Sequence, residues 1–157
     1  MEKSHQNYLN EAIAVARENQ EKGGGPFGAL IVKDGEVIAK SGNTVAIDND
    51  PTSHAEINAI RKACKKLKNF ELKGCTLYSS CEPCPMCLGA IYWSRLDAVY
   101  FSAAKEDAKD AGFDDSFIYS ELNISPHKRS IPMYQLERKN GLKPFEEWKE
   151  REDKIEY

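Results

Sequence analysis

The chain has 157 residues, 22 Lys and Arg against 25 Asp and Glu, with 41% hydrophobic and 30% charged residues; one compact domain is expected and two independent ones are not. The formal charge of −3 argues against a broad polyanion-binding surface, so nucleic acid is not the expected partner. No uninterrupted apolar run approaches the ~20 residues of a membrane span, and residues 1–6 lead into no apolar signal core, so the protein is expected to be cytoplasmic and to engage no membrane.

The first element is a helix: Tyr8, Leu9, Ala12, Ile13 and Ala16 recur at helical spacing, and Gly23-Gly24-Gly25-Pro26 ends it. Residues 27–32 read as a strand that turns through Lys33-Asp34-Gly35-Glu36 into a second strand at 37–41, because Asp-Gly between apolar runs signals a tight antiparallel hairpin. After a loop containing Asp48-Asn49-Asp50-Pro51, a second helix starts near Ser53 or His54 and runs to about Leu67, with Ile57, Ile60, Ala63, Cys64 and Leu67 on its buried stripe. Residues 76–79 form a strand, a helix opens near Pro83 to Pro85 and carries Leu88, Ile91 and Tyr92, and residues 98–102 form another strand. Strand, helix, strand in this order predicts a right-handed parallel crossover. A polar loop, a short helix around 116–122, a strand at 133–137 and a final helix from Pro144 complete the chain. The sum is an α/β fold, a three-layer α/β/α sandwich around a mixed five-stranded sheet. A domain over residues 1–149 is followed by a charged tail over 150–157.

A chain of this size buries enough surface to fold without disulfides or metal, so its cysteine usage points to chemistry. Three of the five cysteines crowd into Cys81-Glu82-Pro83-Cys84-Pro85-Met86-Cys87, which reads as thiolate or metal chemistry in a reducing compartment. His54-Ala55-Glu56 opens the second helix and Pro83-Cys84-Pro85-Met86-Cys87 the third. One imidazole and two thiolates make three ligands for Zn²⁺ and keep the fourth tetrahedral position for water. Cysteines three apart at a helix start share one side of one turn, and the positive end of the helix dipole favours the thiolate. Glu56, two residues after His54, is a carboxylate the coordination does not need, and it can shuttle a proton at a metal whose bound water ionises near pH 7. Two plainer readings stand beside this one. Ser53 and Glu56 fit a capping box, and Cys81, Cys84, Cys87 and His54 can make a closed structural zinc site, as in a non-enzymatic scaffold. The order His-x-Glu then Pro-Cys-x-x-Cys is the signature of zinc deaminases and favours catalytic zinc. Cys81 is then a strand-end residue, and Cys64 and Cys75 are buried thiols.

Across nearly its whole length the sequence resembles the cytidine-deaminase-like superfamily and, more closely, its bacterial-type guanine deaminases. The resemblance rests on Gly24-Gly25-Pro26-Phe27-Gly28-Ala29, on Asp50-Pro51-Thr52-Ser53-His54-Ala55-Glu56, on the stretch from Tyr78 through Cys81-Glu82-Pro83-Cys84-Pro85-Met86-Cys87 to Trp93, on Ala111-Gly112-Phe113-Asp114-Asp115-Ser116, and on the terminal aromatic Tyr157. It implies hydrolysis of guanine to xanthine and ammonia with one Zn²⁺ per subunit held by His54, Cys84 and Cys87. Glu56 would carry the water proton to the ring, and Asp115 would protonate the departing amine; Asp115 also reads as an N-cap or turn carboxylate before the next helix. Asn43 would hydrogen-bond the base edge, or be a plain strand-end residue. Phe27, Trp93 and Phe113 are candidate walls for a flat purine, or core aromatics. The resemblance further implies a homodimer whose C-terminal segment swaps across, so that Tyr157 seals the partner's pocket. The rival readings are a tRNA-adenosine or cytosine deaminase with the same zinc motifs. The run Arg61, Lys62, Lys65, Lys66, Lys68 and Lys73 speaks for RNA, or is the solvated face of a helix.

Overall fold

A computed structural model describes residues 4–157 of the chain; the first half of the segment read above for a signal core lies outside them. It divides into two compact units, Met1–Asp115 and Ser116–Tyr157.

The first unit opens with α1 (His5–Glu21), capped by Ser4, whose hydroxyl accepts from the Asn7 N–H at 3.3 Å. Next come β1 (Gly25–Lys33) and β2 (Glu36–Asn43), a short α2 (Val45–Asp48), α3 (Ala55–Leu67), β3 (Cys75–Cys81), α4 (Pro85–Trp93), β4 (Ala98–Ala103) and α5 (Lys105–Asp110). The hairpin turn has positive φ at both Asp34 (49°) and Gly35 (77°), as a type I′ connection requires. The sheet order is β2-β1-β3-β4, with β1 antiparallel to both neighbours and β4 parallel to β3. Alternation along β1 builds the three layers. Leu30 and Val32 pack with Tyr8 and Ala12 of α1, while Ala29 and Ile31 pack with Ala55, Ala59 and Ile60 of α3. Gly28 lets α1 come down onto the sheet, since a Cβ there would run into the backbone of Ala12 and Ala16.

The sheet has four strands, not the five expected. The strand expected at 133–137 does not form: Met133, Tyr134 and Leu136 are exposed, and the Met133 N–H donates to the Pro126 carbonyl at 3.1 Å. A short run with apolar residues proposes a strand, but only a ladder partner makes one. The expected polar loop after β4 contains α5, whose entry is tied by the Asp107 carboxylate accepting from the Ala104 N–H at 2.8 Å.

The second unit holds α6 (Ser116–Leu122), a 3-10 turn at Pro126–Lys128 and α7 (Arg138–Glu150). Arg129 Nε donates to the carbonyls of Glu121 (3.0 Å) and Ile124 (3.1 Å), closing the turn between α6 and the 3-10 segment. Read as a first-turn residue, Pro144 instead lies inside α7, which starts six residues earlier. The ring removes one backbone donor on an exposed helix, where water can take the orphaned carbonyl. Among the described residues no helix is long and apolar enough to cross a membrane.

Candidate metal centre and active site

Two helix N-termini converge in the first unit. His54 is the N-cap of α3 and Cys84 the N-cap of α4, both with extended backbone, and neither side chain caps its own helix. Pro85 occupies the first turn of α4, where its missing N–H costs nothing, and Cys87 lies one turn in. The imidazole Nδ1 of His54 is 3.5 Å from the Sγ of Cys84 and 3.5 Å from that of Cys87, and the three donor atoms lie within 4.8 Å of one another. Zinc bonds of about 2.3 Å to sulfur and about 2.05 Å to nitrogen in a tetrahedron require a sulfur–nitrogen edge of roughly 3.6 Å. The observed spacing fits that edge, and a donor set of one imidazole and two thiolates suits zinc over magnesium or calcium.

Cys81 does not complete a four-residue cage. Among the described residues the metal-binding group consists of His54, Cys84 and Cys87. The Cys81 thiol sits at the end of β3, points its hydrogen at the Ala104 carbonyl (3.7 Å), and is pushed up to about 11 by burial. Without metal, Cys84 is held down to about 4, first by the hydrogen bond from the Cys87 thiol and further by His54. Cys87 is driven the other way because it donates that bond and is buried. The imidazole of His54 is raised by its contact with Cys84.

Glu56 is 6% exposed on the second residue of α3. Burial raises its carboxyl above the usual range, and Ser79 Oγ donates to its Oε1 at 3.4 Å. The capping box anticipated as an alternative does not form: Ser53 Oγ donates to Asp50 Oδ2 at 3.0 Å, and α3 has no side-chain cap. Glu56 is thus a buried carboxylate beside the triad and outside its donor set.

Asp115, half-buried, is raised mainly by burial, with the Cys84 thiolate among the charges acting in the same direction. Asn43 ends β2, buried, and its Oδ1 accepts from the Val45 N–H at 3.2 Å. Phe27 and Phe113 meet edge to face at 5.0 Å. They wall a cavity of about 550 Å³ beside Ile13, Arg17 and Cys81, whose lining excludes His54 and Cys84. Trp93 is not brought to the ligands. It ends α4, about 13 Å along the axis from Cys84, is 64% exposed, and carries the Arg95 guanidinium 5.9 Å above its ring. Tyr157 belongs to the second unit.

Three polar residues around the site went unread in the sequence: Ser79, Asn19 and Asn58. Asn19 had a signal, since it continues the buried stripe of Tyr8, Ala12 and Ala16 with a polar side chain.

Residues 2–103 match the profile described as the cytidine and deoxycytidylate deaminase zinc-binding region. The chain belongs to this family. Both ligand segments and Glu56 lie within the matched stretch, and the His54, Cys84 and Cys87 cluster is the site that fits the zinc of this hydrolase family. Among the relatives of this family member is a guanine deaminase of Bacillus subtilis, 53% identical over 98% of this chain and 99% of its own. A solved structure of a guanine deaminase from the same organism superposes with a TM-score of 0.96 at 52% identity, covering 99% of both chains. A tRNA-specific adenosine deaminase of Aquifex aeolicus is 41% identical over 86% of this chain and 88% of its own.

Proposed function

We propose that this zinc deaminase hydrolyses guanine: one water is consumed, the exocyclic amino group leaves as ammonia, and xanthine remains. The reading is carried by the end-to-end likeness to a guanine deaminase, a TM-score of 0.96 over 99% of both chains.

Zinc held by His54, Cys84 and Cys87 would supply a polarised water of lowered pKa. Glu56 takes a proton from the attacking water and returns it to the ring nitrogen next to the amino-bearing carbon, a task suited to a carboxyl that burial raises. Asp115 protonates the departing amine, since amide ion is an untenable leaving group, and takes back the proton that the new hydroxyl releases as the carbonyl forms. Its raised carboxyl supports the role. With Asn43 Oδ1 accepting from the Val45 N–H, the side chain has both Nδ2 hydrogens to offer a ligand. A donor suits O6 of guanine where adenine presents its N6 amino donor. Of the aromatic walls expected for the base, Phe27 and Phe113 pair edge to face; Trp93 lies too far along α4 from Cys84 to join them.

The functional form is a homodimer in a reducing cytoplasm, where the five free cysteines stay reduced. Leu88, Tyr92 and Trp93 of α4 are exposed in a single chain, an apolar face that suits burial against a second copy. Residues 150–157 form a tail that swaps between subunits, with Tyr157 closing the partner's pocket and excluding water.

The RNA reading is weaker. Lys62 donates to the Lys40 carbonyl and Ser41 Oγ, Lys66 pairs with Glu36 (3.4 Å), Arg61 with Asp50 (3.9 Å) and Lys73 with Glu71 (2.8 Å). These contacts fit a solvated helix face. The test is ammonia release from guanine, adenine, cytosine, cytidine and tRNA, with a chelator control. Release from guanine alone, abolished by chelation, is expected; inosine formed in tRNA without turnover of guanine would replace the proposal. Removing residues 150–157 should lower turnover of guanine, and unchanged turnover would count against the lid.

A further inference from the structure

We propose that Asn19, on the far helix of the sandwich from the metal ligands, is a positioning residue for the base: it fixes the backbone from which Asn43 projects. The inference rests on the reading of Asn43 as a base-binding residue.

Asn19 stands where helix periodicity calls for an apolar side chain, and it is 9% exposed. Its Nδ2 donates 2.8 Å to the Gly25 carbonyl and 2.8 Å to the Asn43 carbonyl. Gly25 and Asn43 are ladder partners, and the next pair is Gly28 with Gly42. Pro26 and Phe27 therefore bulge from β1 between the two pairs. One amide spans the mouth of that bulge and ties both strands to α1. The surrounding glycines are shaped to it: a Cβ on Gly24 would overlap Asn19 Nδ2, and a Cβ on Gly42 would overlap Asn19 Oδ1 and Cγ.

The opposite layer holds the same segment. Asn58 of α3 donates from Nδ2 to the Gly42 carbonyl (3.1 Å), to Thr44 Oγ1 (3.0 Å) and to the Ser53 carbonyl (3.3 Å). The residues on either side of Asn43 are thereby joined to the loop that delivers His54. With its backbone clamped from both faces and its Oδ1 bonded to Val45, Asn43 can present its amide hydrogens in one direction. Fixing a donor before the ligand arrives removes ordering entropy from binding. It does not touch the proton transfers.

The test compares wild type, Asn19→Ala, Asn43→Ala and the double variant in steady-state turnover of guanine, with zinc stoichiometry and thermal melting measured on each. Asn19→Ala should raise KM about 3- to 10-fold, the range one neutral hydrogen bond supplies, with kcat within about twofold and zinc unchanged. In the Asn43→Ala background the same change should add little, because it acts through the amide already removed. A raised KM in Asn43→Ala with a wild-type KM in Asn19→Ala would overturn the proposal alone. A wild-type KM in Asn43→Ala would overturn the underlying reading and the proposal with it. Full additivity, or parallel loss of zinc, kcat and KM, would make Asn19 merely structural. Should Asn19→Ala fail to fold, Gly42→Ala displaces the same amide by one methyl and is read the same way. Loss of the folded, zinc-loaded protein in both would also overturn the proposal.

Discussion

Changing Glu56 to glutamine keeps the volume and the hydrogen-bond partner of the side chain and removes its charge and its ability to carry a proton. Positioned acid–base groups contribute about 10²- to 10⁴-fold in rate, equivalent to about 2.7–5.4 kcal/mol at about 1.36 per decade. The glutamine variant should therefore lose at least two decades of kcat for ammonia release from guanine while its zinc content stays at wild type, because Glu56 lies outside the donor set. Stability should move the other way. Burial raises the Glu56 carboxyl, so in the metal-free protein the ionised form is disfavoured by folding. Relative to the variant, wild type loses stability as pH rises through that raised value and regains it below the ordinary carboxylate range. Metal-free Glu56→Gln should thus melt no lower than wild type at pH 7, and any gap between them should close in acid. The decisive assay pairs turnover with metal analysis and a pH series of melts. A kcat within a few-fold of wild type would refute the shuttle. Simultaneous loss of zinc, fold and activity would show instead that the carboxylate holds the site together, as in a structural zinc protein.

Three further outcomes are expected. After chelation at pH 7, one equivalent of an alkylating agent should modify Cys84 first, since its thiolate forms from about 4 upward. Cys81, pushed up to about 11, should react slowly, and zinc should restore protection; peptide mapping reads the order. Asp115→Asn should lower kcat by about 10²- to 10⁴-fold with zinc retained, whereas a change confined to thermal stability would make Asp115 a turn residue. Gly28→Ala should destabilise by about 1–3 kcal/mol or more in denaturant unfolding, because its methyl meets the α1 backbone rather than a movable side chain; an unchanged midpoint would refute the close approach.

How far the sequence speaks depends on the range of the interaction concerned. The β1–β2 hairpin was legible because Asp34 and Gly35 set their own φ, and the β3-α4-β4 crossover because apolar runs and Pro85 mark its ends. The strand at 133–137 was misread because a short apolar segment describes one strand while a ladder needs two. Pro144 misled because a first-turn preference is statistical, and an exposed helix can carry one missing donor. Leu88 and Tyr92 match a buried stripe in spacing, yet both are exposed in the single chain.

At the metal site the division is sharper. By itself the sequence determined the ligand chemistry: an imidazole and two thiolates at helix starts, and a carboxylate two residues on. Those follow from covalent spacing, which is local. Only the tertiary structure decided that His54 Nδ1 stands 3.5 Å from sulfurs thirty and thirty-three residues away, that Cys81 stays out of the cluster, that Ser53 turns to Asp50 instead of capping, and that an amide on α1 reaches across the sheet to hold Asn43. Each of these depends on how two helices and a sheet pack, and hydrogen bonds between elements carry no signature in either segment read alone.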